Sequence, residues 1–104
     1  MIYLASPHAH PDPAVREARE RAAAKYTIRQ FQCGLPLYSP IVYSAAIAAH
    51  NLPWDFWMKF DRPFLKAADR VWVLMLDGWK ESKGVQAEIG IARKLGKHVA
   101  YVEE

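Results

Sequence analysis

The stretch Ser82-Lys83-Gly84-Val85-Gln86-Ala87-Glu88-Ile89-Gly90-Ile91-Ala92 decides the fold. It follows a strand-like apolar run, Val71 to Leu76, and a polar loop, Asp77 to Lys83. Ser82 is a favoured helix N-cap residue, and Gly84 permits a tight turn. The segment therefore reads as a helix that begins beside the carboxyl end of a buried strand. Open α/β sheets bind ligands at that edge. Glu88 falls one turn into the helix, near backbone N–H groups suited to an anion. One short segment thus offers both an anion cradle and a carboxylate.

Working outward, Gly84 to Leu95 is the helix, Gly96 ends it, and Lys97 to Val102 is a last strand. On the N-terminal side, Ile2-Tyr3-Leu4-Ala5 is a short buried strand followed by a polar loop. Asp12-Pro13 starts a helix, since Asp caps and Pro suits the first turn; it runs to about Gln32 and Gly34 stops it. Leu35 to Tyr38 reads as a second strand ended by Ser39-Pro40, and Ser44 to His50 as a short helix. Between Trp54 and Ala68 the large apolar residues Phe56, Phe60 and Phe64 step along one helical face. Pro63 implies a kink there, or a new helix beginning near Asp61. The order β-α-β-α-α-β-α-β predicts a small flavodoxin-like or Rossmann-like α/β fold. Its sheet is parallel, with helices on both faces and four strands in the order 2-1-3-4.

The 104 residues provide for a single domain over 1–104. Hydrophobic residues make up 52% and charged residues 24%, a globular balance. No apolar run approaches ~20 residues, and Ile2 to Ala5 is too short for a signal core, so no membrane partner is expected. The lone cysteine, Cys33, cannot form an internal disulfide, which fits a cytoplasmic location. A net charge of +3 favours a small anionic ligand over nucleic acid. Arg16, Arg19, Arg21 and Lys25 alternate with acids and alanines, as on a solvated helix face. His8 and His10 share a loop, but only Asp12 stands nearby to complete a metal site, so no metal and no cofactor are expected. His50 precedes Asn51 at a loop beside the candidate pocket, where the weight lies against a substrate contact.

Three motifs in order resemble the nucleoside 2-deoxyribosyltransferase superfamily, which includes the nucleoside 5′-monophosphate N-glycosidases. Ile2-Tyr3-Leu4-Ala5-Ser6-Pro7 resembles its first strand and substrate loop. Asp61, Phe64-Leu65 and Ala68-Asp69 resemble its Asp-x-x-x-Leu-x-x-x-Asp element. Gly84 to Ala92 resembles the Gly-x-x-x-Glu-[Ile/Leu]-Gly-x-Ala signature. The resemblance implies Glu88 as nucleophile, Asp61 as a group near sugar and base, and Tyr3 as the residue that positions Glu88. Ser82, six residues before Glu88, matches a serine that contacts phosphate in the monophosphate glycosidases. The implied activity is cleavage or transfer of an N-glycosidic bond in a nucleoside or nucleoside 5′-monophosphate, through a glycosyl-glutamate. The alternative is a non-catalytic nucleotide-binding module of the same fold.

The chemistry needs two carboxyl groups: one traps the anomeric carbon and one protonates the leaving base. Glu88 then has to be ionised near neutral pH, with help from the helix N-terminus and the Tyr3 hydroxyl, and Asp61 needs a raised pKa. Asp61 equally suits a cap ahead of Pro63, and Tyr3 equally suits the core. Ser6 and Gly84 complete the expected phosphate contacts, although Ser6 also suits a turn with Pro7. Among the four tryptophans, Trp79 in the loop is the expected stacking surface for a base. Trp54 and Trp57, with Phe56 and Phe60, favour a subunit interface over a stacking wall, and a homodimer or higher oligomer is expected.

Overall fold

A computed structural model describes residues 1–47 and 52–104. It is an α/β fold of the flavodoxin-like, Rossmann-like kind. The elements run β1 (Ile2–Ala5), α1 (Pro13–Gln32), β2 (Leu37–Tyr38), α2 (Pro40–Ala46), α3 (Trp54–Ala67), β3 (Arg70–Leu74), α4 (Lys83–Lys94) and β4 (His98–Val102). The four strands form one sheet in the order β2-β1-β3-β4, and every pairing is parallel.

Side chains of a strand alternate between the two faces of its sheet. Here both faces are covered, so β1 is apolar throughout. Ile2 and Leu4 pack with Tyr26, Leu37 and Leu74 on one face. Tyr3 and Ala5 pack with Leu65, Val71, Val73, Val85 and Ile89 on the other. The first layer contains α1, and the second contains α3 and α4. This alternation decides function, because it sends Tyr3 toward the helices that carry Asp61 and Glu88.

The helix ends follow local rules. Asp12 caps α1 by accepting from the Ala14 N–H at 2.9 Å. Ser82 caps α4 by accepting from the Val85 N–H at 3.3 Å. Lys97 closes α3 by donating from Nζ to the carbonyl oxygens of Lys66 at 2.8 Å and Ala68 at 2.6 Å.

Several boundaries differ from the sequence reading. Ser39-Pro40 does not end a strand but begins a helix: Ser39 accepts from the Val42 N–H at 3.2 Å, and Pro40 takes the first turn. The short helix is therefore α2, several residues earlier than Ser44, and the expected end at His50 lies outside the described residues. β2 shrinks to Leu37–Tyr38. α3 is one helix through Pro63 rather than two. Proline leaves the Lys59 carbonyl without its helical donor. Both residues are exposed, so the carbonyl is not enclosed in the core. Gly84 lies inside the first turn of α4 and is not a turn of its own.

Leu65 is fully buried between α3 and the sheet. Leu65→Ala is expected to cost roughly 3 kcal/mol in denaturant unfolding. Ile28→Ala, on the exposed side of α1, should stay within about 0.5 kcal/mol.

Candidate active site

A cleft of about 840 Å³ opens beyond the carboxyl end of β1 and beside the N-terminus of α4. Its walls bring together residues from across the chain: Ser6, Trp54, Trp57, Asp61, Ser82 and Glu88. Gly84 and Lys83 line it beside Ser82.

Glu88 and Asp61 are both buried carboxyl groups. The Tyr3 hydroxyl donates a hydrogen bond to Glu88 Oε2 across 85 positions of sequence. Glu88 is pushed up to about 8: burial raises it most, the Tyr3 hydrogen bond pulls the other way, and the neighbouring charge of Asp61 adds to the rise. Burial likewise pushes Asp61 up to about 6. Tyr3, buried beside two carboxyls, is driven far above the ordinary phenol range and stays a donor. The expectation of a Glu88 held ionised by its helix and by Tyr3 is thus corrected. Desolvation of the buried side chain outweighs the Tyr3 hydrogen bond. Two coupled carboxyls titrate as a pair, and between the two values the pair holds one proton.

Asp61 does not cap a helix. It lies mid-way along α3, whose N-cap position is Pro53, and its Oδ1 has no hydrogen-bond partner. Ser6 follows β1 at the cleft edge, with a buried Oγ that also has no partner. Ser82 accepts from the Val85 N–H, and its O–H remains available to donate to an anion. A Cβ on Gly84 would meet only ordinary contacts, Trp54 Nε1 at 3.9 Å and Ser82 Oγ at 4.0 Å.

Trp79 is not among the residues that line the cleft. It packs on the core layer and against the Tyr101 ring at 5.5 Å, where it covers β4. The aromatic wall comes instead from Trp54 and Trp57. Trp54 stands over the start of α4, and the Lys83 ammonium sits 4.0 Å above its ring. His50 lies outside the described residues.

The sequence also concealed the role of its arginines. Arg16 lines the cleft. Arg19 donates to the Ala9 carbonyl at 3.0 Å and to the Asp77 carbonyl at 2.9 Å, tying the β1–α1 loop to the β3–α4 loop. Regular helical spacing gives no sign of such a long-range bridge. His8 pairs with Glu20 at 2.7 Å at the cleft edge. Among the described residues no group of three or more His, Cys, Asp or Glu is arranged for a metal ion.

The fold and this cleft define an α/β protein with a cleft at the strand ends that holds a buried pair of carboxyl groups. The chain belongs to the family described as a domain of unknown function (DUF1937), whose model matches residues 1–104. No curated protein matches the chain.

Because the folded protein holds Glu88 and Asp61 protonated above their ordinary values, it binds more protons than the unfolded chain across that window. Stability should therefore fall as pH rises from about 4.5 to about 8. Glu88→Gln removes the larger share of this cost. Its melting temperature should exceed that of the wild type by several degrees at about pH 8, with the gap closing toward acid pH. A wild-type melting temperature that does not change across that range would contradict the burial argument.

Proposed function

We propose that the cleft breaks or transfers the N-glycosidic bond of a nucleoside or nucleoside 5′-monophosphate. The observation that carries this reading is the buried pair Glu88 and Asp61, with Tyr3 donating to Glu88. Two carboxyls that share one proton near neutral pH match the needs of the reaction: one anion to attack and one acid to protonate the base.

In the proposed sequence the electron-poor anomeric carbon draws Glu88 into its ionised form, which the Tyr3 hydroxyl stabilises, and Asp61 takes up the shared proton. A Glu88 oxygen bonds to the anomeric carbon as the carbon–nitrogen bond breaks. The bond's electron pair goes to the base nitrogen, which receives the Asp61 proton. Asp61, now ionised, deprotonates water or a second base, which attacks the anomeric carbon and releases Glu88. Water gives a hydrolase and a base gives a transferase. Trp54 and Trp57 support a stacking role toward the base, and Ser6, Ser82 and Gly84 with the start of α4 support the phosphate. This cytoplasmic, cofactor-free reading extends to a homodimer built on the exposed apolar side chains Tyr43, Ile47 and Phe56.

One observation favours the alternative, a nucleotide-binding module without turnover: burial pushes Glu88 toward its protonated form near neutral pH.

Purified protein incubated with ribo- and deoxyribonucleosides and their 5′-monophosphates should release free base, read by chromatography. Glu88→Ala should remain folded and lose at least roughly a thousandfold in rate. Ligand-induced thermal stabilisation without product from any compound would favour the binding module.

The rate of base release should be bell-shaped in pH, with limbs near about 6 and about 8. Below the lower limb no carboxylate is available, and above the upper limb no acid is. A rate that climbs steadily beyond the upper limb would rule out the one-proton pair.

A further inference from the structure

Among the described residues three buried side-chain polar atoms have no hydrogen-bond partner: Ser6 Oγ, the Tyr38 hydroxyl and Asp61 Oδ1. Such atoms are costly, and in native folds each calls for an explanation. Two of them share one corner of the site. Tyr38 on β2 is the register partner of Tyr3 on β1, so both rings leave the sheet on the same face, with centroids 5.9 Å apart. Tyr38 stacks flat on Phe64, at 4.3 Å and 7°. Phe64 follows Asp61 by three residues on α3, a spacing that puts both on one helical face. The Tyr38 phenol is thus clamped between the tyrosine that serves Glu88 and the helix that carries Asp61.

From this placement we infer that Tyr38 is a positioning residue whose hydroxyl donates to Asp61, as that of Tyr3 donates to Glu88. The inference rests on the N-glycosidic reading of the cleft. The inference requires the Asp61 carboxyl group to turn toward Tyr38 about a torsion that is broad for this side chain, which gives the unpaired hydroxyl its acceptor. The two tyrosines then form a matched pair on adjacent strands, each holding one carboxyl group. Tyr38 stabilises the ionised form of Asp61 after its proton has gone to the base, and aims it at the incoming nucleophile.

Burial and neighbouring charge support the placement. Asp61 exerts the largest charge effect on Tyr38, which is raised above the ordinary phenol range. Tyr3 of β1 and Glu88 of α4 face Asp61, and Lys83 of α4 with Arg16 and Glu20 of α1 line the same cleft. His8, His10 and Glu81 line the loops of the same cleft. Burial, rather than any of these charges, accounts for the upward push on Asp61.

The test is the titration of the Asp61 carboxyl carbon by NMR, in protein labelled at aspartate and assigned with Asp61→Asn. In Tyr38→Phe the midpoint should rise by about one pH unit, and the acid limb of base release should move up with it. Thermal unfolding gives a second reading. Because the hydroxyl favours ionised Asp61, Tyr38→Phe should match the wild type in acid and fall below it as pH rises through about 6. An unchanged midpoint, with equal or higher stability at every pH, would overturn the inference and mark the hydroxyl as a tolerated orphan. The titration is read on the resting protein. A midpoint shifted in Tyr38→Phe, together with a wild type that releases no base, would therefore overturn the reading of the cleft and leave the Tyr38–Asp61 contact standing.

Discussion

The hydrogen bond from Tyr3 to Glu88 is the contact on which the site depends. It joins one of the two inner strands to the helix that begins at the sheet's carboxyl edge, within the buried layer on one sheet face. Glu88 is buried only because α4 lies flat over Val71, Val73 and Tyr3, and that burial is what raises it. Fold and electrostatics have one cause here: the packing that forms the core also desolvates the carboxyl group. A glutamate at the same helical position on an open surface would be an ordinary anion.

Stability and function pull in opposite directions at this point. The core layer of β1, β3, α3 and α4 encloses two carboxyl groups whose ionisation opposes folding. Three buried polar atoms near the cleft add to that cost. A small domain keeps such groups where a ligand or a reaction uses them. The buried apolar residues on both sheet faces offset them, with α1, Tyr26 and Leu74 making up the second layer.

Much of this was legible in the sequence. The alternation of apolar runs with helical periods specifies the strand order, and Asp12, Ser82 and Gly96 mark helix ends by local chemistry that distance does not disturb. Glu88 and Tyr3 were legible through resemblance of motifs, not through spacing, since 85 positions separate them. What the sequence concealed depends on tertiary placement. Pro63 suggested a break, but it lies on the exposed side of α3 with Lys59, so the helix continues and Asp61 becomes a buried mid-helix residue. Trp79 suggested a wall of the cleft because it shares a loop with Ser82, yet the loop folds it onto β4. Tyr38 lies on a two-residue strand, too short to show a period, and only the register with Tyr3 reveals which way it points. Trp54 and Trp57 carry helical spacing, which does not distinguish a subunit interface from the wall of a cleft.

The central claim is that Glu88 takes the sugar covalently. The most direct measurement is peptide mapping by mass spectrometry of protein quenched in acid during turnover of a nucleoside 5′-monophosphate. The account predicts a glycosyl adduct on the peptide that contains Glu88, absent from Glu88→Ala. An adduct on any other residue, or base release by Glu88→Ala at the wild-type rate with no adduct at all, would contradict it.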